Sequence, residues 1–181
     1  MPITFSVTAQ TPNQTLTERL NSVKLAPLHK QIAEFLNTRA MENFRNQESP
    51  EGEAWAELSP ATYQLSFKKR FPEQQFHKTV NGQRVLTAEA ERYIQQKKTR
   101  ILIEQGQRGG LMALAVQGDE ESARVGSNKD YARIQQLGSD GPMKGFIKSE
   151  LPARPYAGAN ERDREEISDM AARHFRKALD S

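Results

Sequence analysis

The sequence predicts an α+β protein in which a small antiparallel sheet is packed by N-terminal and C-terminal helices, with long loops between the elements. Two segments near the ends of the chain, residues 25–46 and the residues after Asn160, carry apolar side chains at helical spacing. Between them, residues 111–117 and 122–127 have the length of strands and the separation of a β-hairpin. The 11 glycines and 9 prolines interrupt the remaining segments and favour loops.

The composition excludes several classes of site. The chain has 181 residues, which favours one domain, and its lack of cysteine excludes disulfides, thiolate metal sites and a thiol nucleophile. Its net charge of +3 is too small to indicate a nucleic-acid-binding protein by itself. The mean hydropathy of −0.78 is polar for a compact globule. Either loops and arms are extensive, or some apolar surface is buried only in a complex.

The predicted organisation is an N-terminal arm, residues 1–24, followed by a single domain, residues 25–181. The arm is mostly polar, and its alternating Ile3, Phe5 and Val7 indicate a short strand or an extended segment. It is either an arm that a partner orders or a frayed terminus. The sequence shows no secretory signal, and no apolar run approaches the roughly 18 residues of a membrane span. We therefore expect a soluble cytoplasmic protein without a membrane partner.

The first predicted helix covers residues 25–46, because apolar residues recur there every three or four positions. It ends before Pro50 and Gly52, which break helices. The loop that follows contains Trp55, the only tryptophan. The dipeptide Ser59-Pro60 is typical of an N-cap and a first helical position, so it predicts that a short helix starts there.

The middle of the chain is predicted to alternate between turns and short elements. Residues 71–86 have little periodicity and are interpreted as a loop or a hairpin that turns at Asn81-Gly82. Thr87 is the predicted N-cap of a helix over residues 88–100. After the hairpin that ends at Ser127, residues 128–143 are predicted as a loop.

The C-terminal part is predicted to end in an amphipathic helix. Phe146-Ile147-Lys148 are a candidate third strand, and Leu151–Tyr156 are expected to be extended, because residues before proline avoid the helical region. Asn160 is the predicted cap of the last helix, which has acidic residues in its first turns and basic residues in its last, as the helix dipole favours. Its apolar stripe consists of Ile167, Met170, Ala171, His174, Phe175 and Leu179.

The search for catalytic motifs favours a protein without catalysis. The histidines His29, His77 and His174 belong to no metal-binding helix motif, and His174 lies on an apolar stripe, as a packed or partly exposed core histidine does. Gly138–Gly141 lacks the spacing of a nucleophile elbow, and Gly106–Gly110 lacks the ending of a phosphate-binding loop. We therefore expect no catalytic residue, no cofactor and no metal, and an enzyme of unrecognised type is the least favoured interpretation.

Two basic clusters, Lys68-Lys69-Arg70 and Lys97-Lys98-Arg100, leave two interpretations open. They would suit phosphate groups, whose binding requires little more than Lys or Arg. Otherwise they are solvated helix ends, where the helix dipole favours cations. The second interpretation is preferred, because no recognisable nucleic-acid-binding motif surrounds the clusters.

A series of short motifs occurs in order along the chain. Trp55–Tyr63 reads WAELSPATY, Ile101–Gly106 reads ILIEQG, Tyr131–Gly138 reads YARIQQLG and Leu151–Gly158 reads LPARPYAG. This ordered set resembles the phage virion morphogenesis family, which includes the G protein of Mu-like phages and the tail-completion proteins of P2-like phages. The resemblance covers roughly residues 28–180.

The resemblance implies a structural protein that acts in tail completion and head–tail joining. Such proteins look like ring-forming components at the top of the tail, and a hexameric ring would match tail symmetry. The implied partners are further copies of the chain, the tail tube, the tail terminator and the head connector. The implied location is the tail or neck of the virion, or the host cytoplasm during assembly. The alternative is a basic nucleic-acid-binding accessory protein of phage assembly.

Four residues are candidate protein-interface anchors, because aromatic residues and arginine dominate the energies of interfaces. Trp55, Tyr131 and Tyr156 are natural anchors if they are exposed. Arg154 directly precedes a proline, where the chain is stiff. This segment holds Arg154 and Tyr156 either against a neighbouring subunit or against its own chain, and the sequence leaves both alternatives open.

Overall fold

The computed structural model describes residues 22–103, 110–141 and 150–180. In these residues helices and hairpins form an α+β fold, which confirms the predicted class. The helices are α1 (Ala26–Asn46), α2 (Pro60–Arg70), α3 (Ala88–Lys98), α4 (Ala132–Leu137) and α5 (Glu161–Asp180). The strands are β1 (His77–Val80), β2 (Gln83–Leu86), β3 (Ala115–Gly118) and β4 (Ala123–Gly126).

The strands of the described residues form two separate antiparallel hairpins rather than one sheet. In the first hairpin, β1 pairs with β2 and His77 lies opposite Leu86; in the second, β3 pairs with β4 and Ala115 lies opposite Gly126. The first hairpin turns at Asn81-Gly82, the dipeptide that the sequence indicated. Both residues have positive φ, as the tight turns preferred in two-residue hairpins require.

Helix α1 packs against both the second hairpin and α5. Leu28 and Ile32 of α1 and Ile167 of α5 form the buried cluster between the two helices. Gly118 brings β3 so close to α1 that a β-carbon at this position would lie 2.5 Å from the Cα of Lys30. This packing therefore requires the absence of a side chain at Gly118.

The N-terminus of α1 is capped by a residue that is distant in sequence. Its own N-cap residue, Leu25, supplies no capping side chain. The carboxylate of Glu120, in the β3–β4 turn, accepts hydrogen bonds from the backbone N–H groups of Leu25 (2.7 Å) and Ala26 (3.3 Å). A negative charge stabilises a helix N-terminus, so the turn of the second hairpin and the start of α1 hold each other in place.

Helices α2 and α3 enclose an aromatic cluster at the base of the first hairpin. Phe67 of α2 is fully buried, and its ring centroid lies 5.3 Å from that of Phe76, just before β1, and 5.5 Å from that of Tyr93 on α3. Tyr63 and Leu86 complete the cluster. Offset and edge-to-face aromatic contacts of this kind stabilise a small core that has few aliphatic residues.

The predicted starts of three helices are confirmed. The side-chain oxygens of Ser59, Thr87 and Asn160 each accept a hydrogen bond from the backbone N–H of the third residue of the helix that follows. N-capping of this type depends only on residues close in sequence, which explains why the sequence located it.

The prediction that residues 128–143 form a loop was wrong for Ala132–Leu137, which form helix α4. This six-residue helix begins without a side-chain cap. It depends on tertiary contacts, since Ala132 is buried and the side chain of Gln136 binds the backbone of a later segment. Short helices gain their stability from packing rather than from local sequence. The candidate third strand at residues 146–148 lies outside the described residues, as does nearly all of the predicted arm, residues 1–24.

Candidate functional site

Residues 150–160, here called the crossing segment, run from the start of the third described range to the start of α5, and several distant side chains bind their backbone. The indole Nε1 of Trp55 donates a hydrogen bond to the carbonyl oxygen of Pro155 at 2.8 Å. The Nδ2 of Asn43, on α1, donates to the carbonyl oxygen of Tyr156 at 3.1 Å. These bonds satisfy buried backbone groups that have no neighbouring strand.

The side chain of Gln136, on α4, forms hydrogen bonds with the backbone of the crossing segment of the kind that a neighbouring strand would form. Its Nε2 donates to the carbonyl oxygen of Ala157 at 2.7 Å, and its Oε1 accepts from the N–H groups of Tyr156 (3.0 Å) and Ala157 (3.1 Å). The backbone adds a further bond, because the N–H of Arg154 donates to the carbonyl oxygen of Gln135 at 2.7 Å. Through these bonds α4 fixes the direction of the crossing segment.

The side chain of Arg154 ties the crossing segment to the loop that precedes α2. The residue is only 2% exposed. Its Nε donates to the carbonyl oxygen of Ala56 at 3.0 Å, and its Nη2 donates to that of Glu57 at 3.2 Å. Burial lowers the pKa of Arg154 from its usual value, and no carboxylate of the described residues lies within 4.0 Å to compensate. Backbone carbonyl groups therefore supply the compensation.

The end of the crossing segment is joined to α1 through a buried carboxylate. Asp163 is 3% exposed and accepts hydrogen bonds from the Nε of Arg39 (2.7 Å) and the N–H of Asn160 (3.2 Å). The Nδ2 of Asn160 donates to the carbonyl oxygen of Pro50 at 2.9 Å. The start of α5 is thus fixed both to α1 and to the loop after it.

Aromatic rings surround these hydrogen bonds. Phe44 of α1 stacks on Tyr156, with ring centroids 4.9 Å apart, and meets Trp55 edge-on at 5.7 Å. Ile101 and Leu111 close the same cluster. Burial raises the pKa of the Tyr156 hydroxyl. The crossing segment consequently contributes Tyr156 to one of the buried apolar clusters.

The structure buries three of the four predicted interface anchors within the chain. Trp55, Arg154 and Tyr156 are 7%, 2% and 4% exposed, whereas Tyr131 is 38% exposed. For the aromatic residues the anchor role required exposure, and only Tyr131 meets this condition. The contacts described for Arg154 and Tyr156 are made within their own chain, which favours the intramolecular alternative for both. A role for these residues at an interface stays a prediction.

Sequence reasoning missed Asn43 and Gln136, which organise the crossing segment. Asn43 lies on the same helical face as Leu36 and Ala40, and a polar residue on an apolar face signals a buried hydrogen bond. Gln136 offers no such signal, because its partners are backbone groups some 20 residues later in the chain.

The apolar surface that a partner can reach lies on other elements. Leu65 on α2 is 70% exposed and Leu137 on α4 is 65% exposed. The first hairpin exposes Val80 and Val85 at 45% and 36%. Single exposed aliphatic side chains are ordinary, but two on one small hairpin form a patch that no described residue covers.

Other candidate sites are weaker. Among the described residues, no group of three or more His, Asp or Glu side chains is placed to hold a metal ion. No helix in the described part of the chain is long and apolar enough to cross a membrane. A groove between the start of α1 and the end of α5 is lined by Lys24, Arg173 and Lys177. His174 also lines it, partly buried as predicted, with Nε2 2.9 Å from the carbonyl oxygen of Lys24.

Comparison with known protein families gives a match to the phage virion morphogenesis family. Its family model matches residues 9–176 of the 181 residues. The chain belongs to this family. No curated protein and no solved structure matches the chain. The match confirms the resemblance that the ordered motifs indicated, and it includes the whole crossing segment and both hairpins.

As a virion morphogenesis protein, the chain has a structural role in building the phage particle. The motif LPARPYAG, residues 151–158, is the centre of the crossing segment and holds Arg154 and Tyr156 in the core. The motif WAELSPATY, residues 55–63, supplies Trp55 and the two carbonyl groups that bind Arg154. Two of the motifs that carried the resemblance are therefore in direct contact within the folded chain.

Proposed function

We propose that this virion morphogenesis protein acts in tail completion and head–tail joining, as one subunit of a ring at the neck of the particle. Its role is structural and not catalytic. Its partners are further copies of the chain, the tail tube, the tail terminator and the head connector, and six copies would match the symmetry of the tail. It is made in the host cytoplasm and acts at the tail or neck of the virion.

The exposure of aliphatic side chains on two separate elements carries this proposal. Leu65 lies on α2, beside the aromatic cluster, and Leu137 lies on α4, beside the crossing segment. A subunit in a ring presents two different patches, one to each neighbour. A rigid core with separate apolar patches is what such a subunit requires, and the crossing segment supplies the rigidity.

The test is the fate of a phage whose reading frame for this protein is interrupted. We expect its lysates, seen by electron microscopy, to contain filled heads and tails that are not joined. A wild-type copy supplied in trans should restore complete particles. Complete infectious particles made without the protein would refute a role in head–tail joining.

A matched pair of variants makes this test specific for the exposed surface. Leu137→Asp places a charge in the apolar patch of α4 and is expected to fail in the complementation. Arg133→Asp, on an exposed position of the same helix, is expected to restore joined particles. Both variants must first be shown to fold. Restoration by both would mean that the α4 patch takes no part in joining.

The alternative function, nucleic-acid binding, is supported by only one of the two basic clusters. Lys68 and Lys69 are exposed and form no salt bridge with the described residues. In the other cluster, the Nζ of Lys98 lies 3.0 Å from the carboxylate of Glu57, and this hydrogen bond raises the pKa of Lys98. Binding to DNA that weakens steeply with added salt would support the alternative, and a flat response or no binding would remove it.

A further inference from the structure

We propose that α2 and the first hairpin form a docking surface for a second copy of this chain, which binds it with the loop between α1 and α2. This inference deepens the proposed function, because it names the surfaces through which ring neighbours meet. The docking surface, residues 60–86, is here called the basic lobe. The loop, residues 47–59, is called the acidic loop.

The two surfaces carry opposite charges of equal size. The basic lobe contains five basic residues and one acidic residue, and therefore has a net charge of +4. Its charged residues are Lys68, Lys69, Arg70, Lys78, Arg84 and Glu73. The acidic loop contains four glutamates and no basic residue, and has a net charge of −4. These are Glu48, Glu51, Glu53 and Glu57. Such segregation is unusual in a chain whose total net charge is only +3.

The first hairpin presents an uncovered face. Because residues paired across antiparallel strands share a face, Lys78 and Val80 of β1 lie on the same side as Gln83 and Val85 of β2. All four are exposed. The other side of the hairpin carries Leu86, which packs on the aromatic cluster. A two-stranded hairpin is barely stable alone, so a face with two exposed valines is suited to a partner.

Helix α2 extends this surface with the same mixture of residue types. Lys68 and Lys69 follow Leu65 by three and four residues, so the three side chains lie on one face of the helix. All three are exposed, whereas Tyr63 and Phe67 are buried in the aromatic cluster. Both parts of the basic lobe therefore combine aliphatic contact area with positive charge.

The acidic loop is held by hydrogen bonds in a shape that presents two of its four carboxylates, since Glu57 pairs with Lys98 and Glu48 accepts a hydrogen bond from Asn46. The N–H of Ser49 donates to the carbonyl oxygen of Glu53 at 2.7 Å, and Pro50 accepts a hydrogen bond from Asn160. Glu51 and Glu53 are exposed. Their carboxylates form no salt bridge with the described residues, so the loop and the basic lobe of one subunit do not neutralise each other.

A second copy is the partner that these charges fit. Each subunit would place its acidic loop on the basic lobe of the next, and attraction between complementary patches fixes the register of such contacts. Since the two surfaces differ, the contact is heterologous and repeats from subunit to subunit. Repetition of a heterologous contact produces a closed ring when the rotation closes.

The experiment measures the mass of the purified full chain over a range of concentrations, by light scattering after size exclusion. The basic-lobe variant is Lys69→Glu with Lys78→Glu, and the acidic-loop variant is Glu51→Lys with Glu53→Lys. Each is expected to weaken self-association at least about tenfold, because the two reversals bring the net charge of the altered surface to zero and remove its attraction for the other surface. All four positions are exposed, so circular dichroism should show folded subunits.

Matched variants on α5 separate a local effect from a change in total charge. Arg162→Glu with Arg176→Glu changes the net charge as much as the basic-lobe variant does. Glu165→Lys with Asp169→Lys matches the acidic-loop variant. These positions are exposed on α5 and lie outside both surfaces, so both control variants are expected to assemble like the wild type.

Mixing the two weakened variants gives the decisive result. The intact acidic loop of one variant faces the intact basic lobe of the other, and the reversed charges on the two altered surfaces are also opposite in sign, so the mixture should associate although neither variant does so alone. Loss of assembly in the basic-lobe variant alone would overturn the proposal and point to another partner, such as a nucleic acid. A wild type that stays monomeric would also overturn it. Assembly of all variants would overturn it but leave the role in head–tail joining, tested in phage lysates, untouched.

Discussion

At the scale of single residues, the buried side chains of the crossing segment determine how the subunit holds together. The guanidinium group of Arg154 is buried and donates hydrogen bonds to two backbone carbonyl groups, those of Ala56 and Glu57. A buried charge is costly unless every donor finds an acceptor, so the geometry around Arg154 tolerates little change. The same argument applies to Asp163, whose carboxylate is satisfied by Arg39 and by the backbone.

Arg154→Ala is expected to lower the free energy of unfolding by about 3 kcal/mol, because it removes a buried side chain, leaves a cavity and takes the donors from two partly buried carbonyl groups. Urea unfolding followed by the fluorescence of Trp55 would measure it. The control, Arg133→Ala on the exposed face of α4, should change stability by less than about 0.5 kcal/mol. An Arg154→Ala protein with unchanged stability but no assembly would instead assign this side chain to an interface.

Asp119 provides a prediction about pH. Its carboxylate accepts hydrogen bonds from the backbone N–H groups of Glu121 (2.9 Å) and Ser122 (2.8 Å), and these bonds lower its pKa below the usual 3.8. The ionised form therefore stabilises the folded state above pH 3.8, and this contribution is lost as the pH falls through the lower pKa of the folded protein. Urea unfolding at several pH values should show a smaller acid-dependent loss in Asp119→Asn. An identical pH profile in both proteins would contradict this account.

At the scale of elements, the sequence predicted what local residues decide. Ser59, Thr87 and Asn160 cap helices whose starts were correctly located, since a cap and its partner are three residues apart. Helix α4 was missed because its support comes from the crossing segment. The distant capping of α1 by Glu120 was missed for the same reason, and the sequence left open whether Arg154 and Tyr156 pack within their own chain. In each case the partner is remote in sequence, and periodicity carries no information about it.

The contact between the second hairpin and α1 can be tested by substituting one glycine that lies against α1 and, as a control, one that does not. Gly118→Ala is expected to destabilise the protein by about 1–3 kcal/mol, because the new methyl group would meet the backbone of Lys30. Gly126→Ala, in the adjacent strand, meets nothing within 4 Å and should be neutral or slightly stabilising. Midpoints of thermal unfolding for the two variants would measure the difference. Equal midpoints would show that the close approach of β3 to α1 is not required.

At the scale of the whole molecule, the described residues bury three small apolar clusters rather than one large core. The crossing segment joins the first cluster to α1 and α5, and the aromatic cluster supports the basic lobe. This arrangement leaves aliphatic and charged side chains exposed on α2, on α4 and on the first hairpin. It agrees with the polar composition of the sequence, which favoured either extensive loops or burial within a complex.

The central claim is that this virion morphogenesis protein works as an assembled ring, and the most direct measurement is the mass of the wild-type protein in solution. Light scattering over a range of concentrations is expected to show a discrete oligomer. For a hexamer of 20.5 kDa chains the mass is about 123 kDa. A mass of 20.5 kDa at every concentration would contradict the claim.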